Sequence, residues 1–505
     1  MKSKMTKRTS NSFKNLVFGI TLSVVSMLFG MINRKIFLMV IGIDVIGAQD
    51  VLISLFATIQ LLCCGYGTAT YIHLNKAFAN NKMDDFAEYV LISKKITYLL
   101  SFALLIVGTV VCFNINLFIS SNTLSIETLQ IAFYSQFLAS ISNVFVDYKR
   151  SIMIVMQKEY KLFIVDLILT VFFAALQIVI IFKTENYILY VFAVSFKMIL
   201  YSFICSRITN KEYHIFPISS KISLTHFVRL KKVAIKQAVI DLSDYIYYST
   251  DSIVLSMNCG IIQVGVYSNY YMIFMTITLL AKRGVESIQA SFSEIINSAE
   301  TNTESKSQLI QLYDCVCFVI IAFCSLYLLG LTDMFVNILY GAEYLSQFTT
   351  VLLVLNFVIV FSQFSLYSYL RTTGQLINER YYDVIMASMN IVLSIYFSRI
   401  FGLNGVIIGT IISNIFIWII RIILINQIDQ VVNIKVYLVK KILGIVILLL
   451  VSYVNYLVIS TLDIEIFIRF LIMIIMCTAE FATIFLILIY RTKNGVIIRK
   501  SILNR

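Results

Sequence analysis

The stretch that decides the fold class is residues 162–182, which read LFIVDLILTVFFAALQIVIIF. Only Asp166, Thr170 and Gln177 interrupt its apolar side chains. A transmembrane helix needs about 20 consecutive apolar residues to cross the hydrocarbon core of a bilayer. A strand of a membrane barrel would instead alternate apolar and polar residues. Because this run is continuous, it predicts a membrane-spanning α-helix.

Similar apolar runs recur along the whole chain. Hydrophobic residues make up 59% of the 505 residues and charged residues 13%, whereas soluble domains carry about 25% charged residues. We expect about fourteen spans, near residues 15–38, 51–75, 96–118, 128–146, 162–182, 187–206, 233–257, 264–286, 309–330, 347–370, 382–400, 405–426, 436–460 and 466–490. The composition therefore excludes a soluble enzyme and a nucleic-acid-binding domain, and it predicts an all-α polytopic membrane protein.

The lysines and arginines test this number of helices. If the N-terminus is inside, the inner segments hold 34 of the 40 basic residues, as the positive-inside rule requires. The six exceptions are Arg34, Lys35, Lys183, Lys197, Arg399 and Arg469. The pattern predicts a multi-pass protein with both termini in the cytoplasm, and the rule accounts for the net charge of +13 without a nucleic-acid partner.

A short repeat predicts two halves. Gly42-Ile-Asp-Val-Ile-Gly47 and Gly260-Ile-Ile-Gln-Val-Gly265 share the pattern G-x-x-x-x-G, each at the predicted outer end of a helical hairpin. Internal repeats build many secondary transporters. The predicted organisation is a six-helix lobe over 1–206, a basic cytoplasmic linker over 207–232, a second six-helix lobe over 233–426, two further helices over 436–490 and a basic cytoplasmic tail over 491–505.

Motifs for catalysis and metal binding are missing from the sequence. The nucleotide-binding pattern G-x-x-x-x-G-K-[ST] does not occur, nor do H-E-x-x-H and C-x-x-C. The three histidines, His73, His214 and His226, are far apart in the sequence. We therefore predict that the chain is not an enzyme and holds no cofactor and no metal ion.

Basic residues within or beside the predicted spans are candidate site residues, because a charge near the bilayer centre costs roughly 3 kcal/mol or more. Lys197 lies in the middle of a span, where it either pairs with Asp166 or lines a cationic cavity. Arg34 and Lys35 break the positive-inside rule. They either reach the outer headgroups or face a central cavity and attract an anionic substrate.

One face of the seventh predicted helix carries three carboxylates. Asp241, Asp244 and Asp251 have spacings that place them on the same side of an α-helix. Such residues are unlikely to face lipid. They either bind a coupling cation or proton, or pair with Lys236 or Lys197.

Two adjacent basic residues, Lys282 and Arg283, end the eighth predicted helix on its inner side. One interpretation is that both side chains snorkel to the inner headgroups. The other is that they contact a substrate phosphate at the inner end of a cavity.

Several stretches resemble bacterial oligosaccharide flippases of the Wzx type. They are Gly65-Tyr-Gly-Thr-Ala-Thr-Tyr-Ile-His-Leu-Asn-Lys76, Tyr148-Lys-Arg-Ser151, Thr250-Asp-Ser-Ile-Val254 and Phe401-Gly-Leu-Asn-Gly405-Val-Ile-Ile-Gly409. The resemblance covers at least residues 15–425. These flippases belong to the multidrug/oligosaccharidyl-lipid/polysaccharide (MOP) exporter superfamily.

The resemblance implies two six-helix lobes around a central cavity that opens alternately to each side of the bacterial plasma membrane. The implied substrate is an undecaprenyl-pyrophosphate-linked oligosaccharide, moved from the cytoplasmic to the outer leaflet for surface polysaccharide assembly. Its pyrophosphate would need a cationic cavity, and the family's basic helix 1 is matched here by Arg34 and Lys35. The implied partners are membrane lipids, a polysaccharide polymerase and a chain-length regulator.

Two other functions stay open at this point. A multidrug or cation exporter of the same superfamily would have a cavity rich in acids and aromatics. A membrane-embedded glycan polymerase or ligase would need a large outer loop with catalytic side chains, and the predicted outer loops are short. The missing nucleotide-binding motif means that transport would run on substrate, ion or potential gradients.

Overall fold

The computed structural model of the chain describes residues 2–119, 123–213, 222–296, 303–341, 346–373, 376–428, 434–460 and 465–491. Its regular structure over these ranges is entirely helical. The α-helices are α1 (Lys2–Val40), α2 (Ile43–Gln60), α3 (Tyr66–Ala79), α4 (Met83–Phe113), α5 (Ile126–Val155), α6 (Tyr160–Thr184), α7 (Tyr187–Tyr213), α8 (Leu224–Cys259), α9 (Ile261–Ile296), α10 (Thr303–Tyr340), α11 (Gln347–Ser362), α12 (Phe364–Thr372), α13 (Leu376–Phe401), α14 (Leu403–Ile428), α15 (Ile434–Ser460) and α16 (Ile466–Arg491).

Thirteen helical segments in these ranges are long and apolar enough to cross a membrane, which confirms the predicted all-α polytopic fold class. The seventh predicted span, 233–257, lies in α8 and is not among the thirteen. Its 36 residues give a length of about 54 Å at 1.5 Å per residue, so length is not the reason. The charges of Lys236, Asp241 and Asp251 and the neighbouring polar residues make this helix too polar.

The predicted second span, 51–75, is two helices rather than one. Helix α2 ends at Gln60, a 3-10 turn covers Leu61–Cys63, and α3 begins after Gly65. Gly65 adopts a φ of +73°, in the left-handed region that favours glycine. A Cβ atom here would lie 2.1 Å from the carbonyl oxygen of Ala234 on α8. The close approach of α8 therefore explains a break that the apolar pattern does not show.

The repeated glycines make a pseudo-symmetric contact within the first unit of the chain. Gly42 and Gly260 both adopt a positive φ, +109° and +87°, in the turns that precede α2 and α9. Five residues later, a Cβ on Gly47 would lie 1.9 Å from the carbonyl oxygen of Ile261. Reciprocally, a Cβ on Gly265 would lie 2.8 Å from the carbonyl oxygen of Ile43. Each glycine thus lets the backbone of the other repeat approach closely.

The chain forms two compact units, Met1–Gly265 and Val266–Arg505, so the boundary falls inside α9. The predicted lobes 1–206 and 233–426, and the separate pair of helices over 436–490, remain a prediction. Residues 214–221 of the predicted linker and 492–505 of the predicted tail lie outside the described residues.

Small residues also set the packing in the second unit. Helices α13 and α14 form a hairpin in which a Cβ on Gly405 would lie 2.0 Å from the carbonyl oxygen of Phe397. One turn later, a Cβ on Gly409 would lie 2.7 Å from the backbone nitrogen of Ser394. This G-x-x-x-G spacing is typical of closely packed membrane helices. It lies in the stretch that most resembles the flippase family.

Candidate functional site

Arg34, near the end of α1, forms a two-point ion pair with Asp50 of α2. Its Nη2 lies 2.9 Å from Asp50 Oδ2 and its Nη1 lies 3.4 Å from Asp50 Oδ1. Nη2 also lies 3.5 Å from the carbonyl oxygen of Gly265, beside the glycine contact. Both charged side chains are about 15% exposed. Arg34, the first of the predicted cationic site residues, therefore has Asp50 as a direct neighbour. Lys35, at the next position, is half-buried.

Two separate sets of hydrogen-bonded amide side chains lie on the helices of this ion pair and their neighbours. Asn33 Nδ2 donates to Gln177 Oε1 at 2.8 Å, which links α1 to α6. Gln49 Nε2 donates to Gln136 Oε1 at 2.9 Å, and Tyr187 donates its hydroxyl to Gln49 Oε1 at 2.7 Å, which links α2, α5 and α7. Since unsatisfied polar groups in the apolar interior are costly, these bonds hold α1, which carries Arg34, against α6, and they hold α2, which carries Asp50, against α5 and α7.

Lys197 of α7 lies beside Asp166 of α6. The Lys197 Nζ atom is 3.3 Å from Asp166 Oδ1 and donates to the hydroxyl of Thr170 at 2.8 Å. The lysine and aspartate side chains are 26% and 30% exposed. This geometry corresponds to the pairing interpretation of Lys197.

Asp241 binds the backbone at the break between α2 and α3. Its Oδ2 accepts the N–H of Gly65 at 2.8 Å, and its Oδ1 accepts Gln237 Nε2 at 2.8 Å. A carboxylate at this place complements the unsatisfied N–H groups at the start of α3. One of the three predicted carboxylates thus has a structural contact that the sequence does not show.

The other two predicted carboxylates of α8 are Asp251 and Asp244. Asp251 is 6% exposed. The side chain of Asp244 lies outside the described residues. Lys282 and Arg283 of α9 are both exposed. The structure therefore places Asp241 and Asp251 on one helix, and it places the Lys282–Arg283 pair on a different one.

A cavity of about 490 Å³ lies within the first unit, between α2, α3, α5 and α7. Gln60, Ser140, Asn143 and Asp147 supply its hydrogen-bonding groups. Asp147 lies against Gly67 of α3, where an added Cβ would be 3.0 Å from Asp147 Oδ2. None of these four residues was predicted from the sequence. Their spacing of three to four residues on α5 is a signal that could have found Ser140, Asn143 and Asp147.

A buried ion pair in the second unit was also not predicted from the sequence. Lys441 Nζ of α15 lies 2.7 Å from Asp314 Oδ1 of α10, and the lysine side chain is only 5% exposed. Ser365 of α12 donates its hydroxyl to the same Asp314 oxygen at 2.9 Å. Lys441 is one of the basic residues that the sequence pattern assigns to the inner side, and in the structure its buried side chain joins three helices. Its partner, 127 positions away, is not visible from the local sequence.

Two of the three histidines, His73 and His226, pack against the same tyrosine ring. His226 Nδ1 lies 2.8 Å from Glu88 Oε2. The centre of the Tyr89 ring lies 4.9 Å from the ring centre of His73 and 4.8 Å from that of His226. The described residues contain no group of three or more His, Cys, Asp or Glu side chains that could hold a metal ion.

Comparison with known proteins gives matches only at the level of structure. No protein-family model matches the chain, and no curated protein matches its sequence. A lipid II flippase, MurJ, in an inward closed conformation matches with a TM-score of 0.72 at 15% identity, over 94% of this chain and 99% of MurJ. The chain has the fold of MOP-superfamily transporters. Helices α15 and α16 have 27 and 26 residues. Because the part of this chain that the MurJ match leaves unmatched is shorter than these two helices together, the match includes part of the pair.

Other transporters of the MOP superfamily match over less of the chain. An inward-facing multidrug-resistance MATE transporter has a TM-score of 0.58 at 15% identity, over 80% of this chain and 96% of its own. A MOP transporter from Pyrococcus furiosus, described as having a binding pocket of reverse polarity, has a TM-score of 0.52 at 16% identity, over 82% and 94%. At these identities the likeness establishes the fold, and the Wzx-type assignment remains a prediction.

Proposed function

We propose that this MOP-fold chain is a flippase that moves an undecaprenyl-pyrophosphate-linked oligosaccharide from the cytoplasmic to the outer leaflet of the bacterial plasma membrane. The observation that carries the proposal is the extent of the match to MurJ, 94% of this chain and 99% of that one. The MATE transporter matches 80% of the chain at a lower TM-score. The neighbours are transporters, which agrees with a non-enzymatic role. A polymerase and a chain-length regulator are proposed partners.

The substrate would meet two kinds of group. Its pyrophosphate would bind basic residues, of which Arg34, Lys35 and Lys197, with Lys282 and Arg283 at the inner side, are the proposed ones. Charge-assisted hydrogen bonds from such groups to phosphate oxygens are roughly twice as strong as neutral ones. Its sugars would bind amide and hydroxyl groups such as those of Asn143 and Ser140 in the cavity of the first unit.

The proposal predicts that Arg34→Ala, alone or with Lys35→Ala, lowers surface polysaccharide at least about tenfold. Loss of a hydrogen bond to a charged group costs about 1.5–3 kcal/mol, and the substrate's pyrophosphate would lose that contact. The measurement is surface polymer per cell at equal amounts of membrane-inserted protein. The control is Lys183→Ala, which removes an exposed lysine at the end of α6, also on the predicted outer side.

Asp50 makes this test specific for substrate binding. If Arg34 serves only its ion pair, then Arg34→Ala leaves Asp50 without its 2.9 Å partner, and the double variant Arg34→Ala/Asp50→Ala should recover transport. The flippase proposal predicts that the double variant stays as defective as Arg34→Ala. Recovery in the double variant, or normal polymer in Arg34→Ala/Lys35→Ala, would remove these residues from the mechanism.

The carboxylates of α8 carry a second part of the proposal, that transport is coupled to a cation or proton at Asp241, Asp244 and Asp251. We expect the Asp→Asn variants to change the dependence of transport on pH or sodium concentration. Asp241→Asn keeps an oxygen that can accept the Gly65 N–H, so it tests the charge with the break between α2 and α3 preserved. Normal transport by each variant at every pH and sodium concentration would show that coupling does not use this face.

A further inference from the structure

A cavity separate from the one described above lies near the ends of three helices of the first unit. It has a volume of about 230 Å³ and is formed by α4, α5 and α7. A water molecule occupies about 30 Å³ in the liquid, so this space is large enough for a polar headgroup. Lys94, Lys149, Thr209 and Asn210 give it polar atoms, and Val90, Leu91 and Ile152 are among its apolar residues.

The polar atoms of this cavity are arranged for an anion. Among the described residues, no carboxylate oxygen lies within 4 Å of the ammonium group of Lys94 or Lys149. Lys149 Nζ instead donates to the hydroxyl of Ser206 at 2.5 Å. The Thr209 side chain is 1% exposed, and its hydroxyl has no hydrogen-bond partner in the described part of the chain. Since a buried hydroxyl is costly without a partner, a ligand oxygen in the cavity would satisfy it.

An exposed apolar strip continues from the basic end of the cavity. Tyr98 follows Lys94 by one turn of α4, and the Lys94 ammonium lies 5.9 Å from its ring centre. Tyr98 packs against Phe145 of α5 with ring centres 5.6 Å apart, and the two residues are 47% and 39% exposed. Phe102, one further turn along α4, is 64% exposed. The strip runs from the cationic end of the cavity toward the middle of the helix.

We propose that this cavity binds the phosphodiester headgroup of an anionic glycerophospholipid, with an acyl chain along Tyr98, Phe145 and Phe102. Two lysines that have no carboxylate partner in the described part of the chain complement the phosphate charge, and the exposed aromatic strip complements the acyl chain. The lysines lie on the side that the sequence predicts to be cytoplasmic, where basic pockets between membrane helices bind anionic headgroups. The site does not depend on the proposed flippase substrate.

Lipid binding to the purified full-length protein tests the proposal. The probes are phosphatidylglycerol, phosphatidylcholine and inorganic phosphate, and the readout is the affinity of the lipid bound by the protein in detergent, measured by native mass spectrometry. We expect phosphatidylglycerol to bind in preference to the other two. Each basic residue near an anionic membrane surface contributes about fivefold in affinity, so Lys94→Ala/Lys149→Ala should weaken binding by about 25-fold.

Three further variants separate a specific site from a general charge effect. Lys95→Ala removes an exposed lysine that follows Lys94 but does not line the cavity, and it should bind as the wild type does. Lys94→Arg/Lys149→Arg keeps both charges and should retain binding, while Thr209→Val should weaken it severalfold. The proposal is wrong if Lys95→Ala matches the double alanine variant, if that variant binds normally, or if inorganic phosphate or phosphatidylcholine binds as tightly as phosphatidylglycerol.

Discussion

Lys441→Met is expected to destabilise the folded protein by about 3–5 kcal/mol, the usual cost of removing one partner of a buried ion pair. The change leaves Asp314 with the hydroxyl of Ser365 at 2.9 Å and without the ammonium at 2.7 Å. The methylene stem of Lys441 is buried, so methionine retains much of its packing. Thermal unfolding of the purified variant, with the yield of monodisperse protein, measures the effect.

The neighbouring residue supplies the control for this experiment. Lys440 is exposed on the same helix, and Lys440→Met should change stability by less than about 0.5 kcal/mol, as surface substitutions usually do. Replacing both partners, as Lys441→Met/Asp314→Leu, removes the unpaired charge and should restore most of the stability. Equal stability of Lys441→Met and Lys440→Met would show that the pair does not hold α10 and α15 together.

Gly47→Ala is the second substitution with a large expected effect. The new Cβ would lie 1.9 Å from the carbonyl oxygen of Ile261 and 3.2 Å from the backbone nitrogen of Gly265. Both are backbone atoms, so the start of α2 must move away from α9. Overpacking usually costs about 1–3 kcal/mol, and we expect a value at the upper end of that range. Thermal unfolding and the yield of folded protein measure it.

Gly30 provides a matched comparison for Gly47. It lies inside helix α1, and apart from its chain neighbours and the backbone of its own helix, no heavy atom of the described residues is within 4 Å of the position that its Cβ would occupy. Alanine is favoured over glycine inside a helix by about 0.5–1 kcal/mol, so Gly30→Ala should be neutral or slightly stabilising. If Gly47→Ala and Gly30→Ala have the same stability, then the close contact of the two repeats is not required for the fold.

The helical fold was predictable because its signal is local. Continuous apolar runs such as 162–182 predict spans, and Gly42 and Gly260 mark turns where the structure has positive φ values. The break at Gly65 was not predicted because it depends on the backbone of Ala234, 169 positions away. A single sequence shows the residue at each position but not the helix that approaches it.

The candidate site was less predictable than the fold for the same reason. The unusual position of Arg34 drew attention to it, but Asp50 was not predicted as its partner because it lies just before the predicted span 51–75, whereas in the structure it lies inside α2. The pairing of Lys441 was not predicted, since basic residues at inner helix ends are common. The burial of its side chain at 5% exposure results from the packing of α10, α12 and α15, which the local sequence does not encode.

The leaflet position of the lipid-linked oligosaccharide tests the proposed flippase function most directly. The measurement uses cells that make the lipid-linked oligosaccharide but lack this chain, and it records the fraction that an impermeant glycosidase cleaves when added outside spheroplasts. The account predicts that this fraction is low, that it rises when the wild-type chain is expressed, and that it stays low with Arg34→Ala/Lys35→Ala. An equal cleaved fraction with and without the chain would contradict the flippase function.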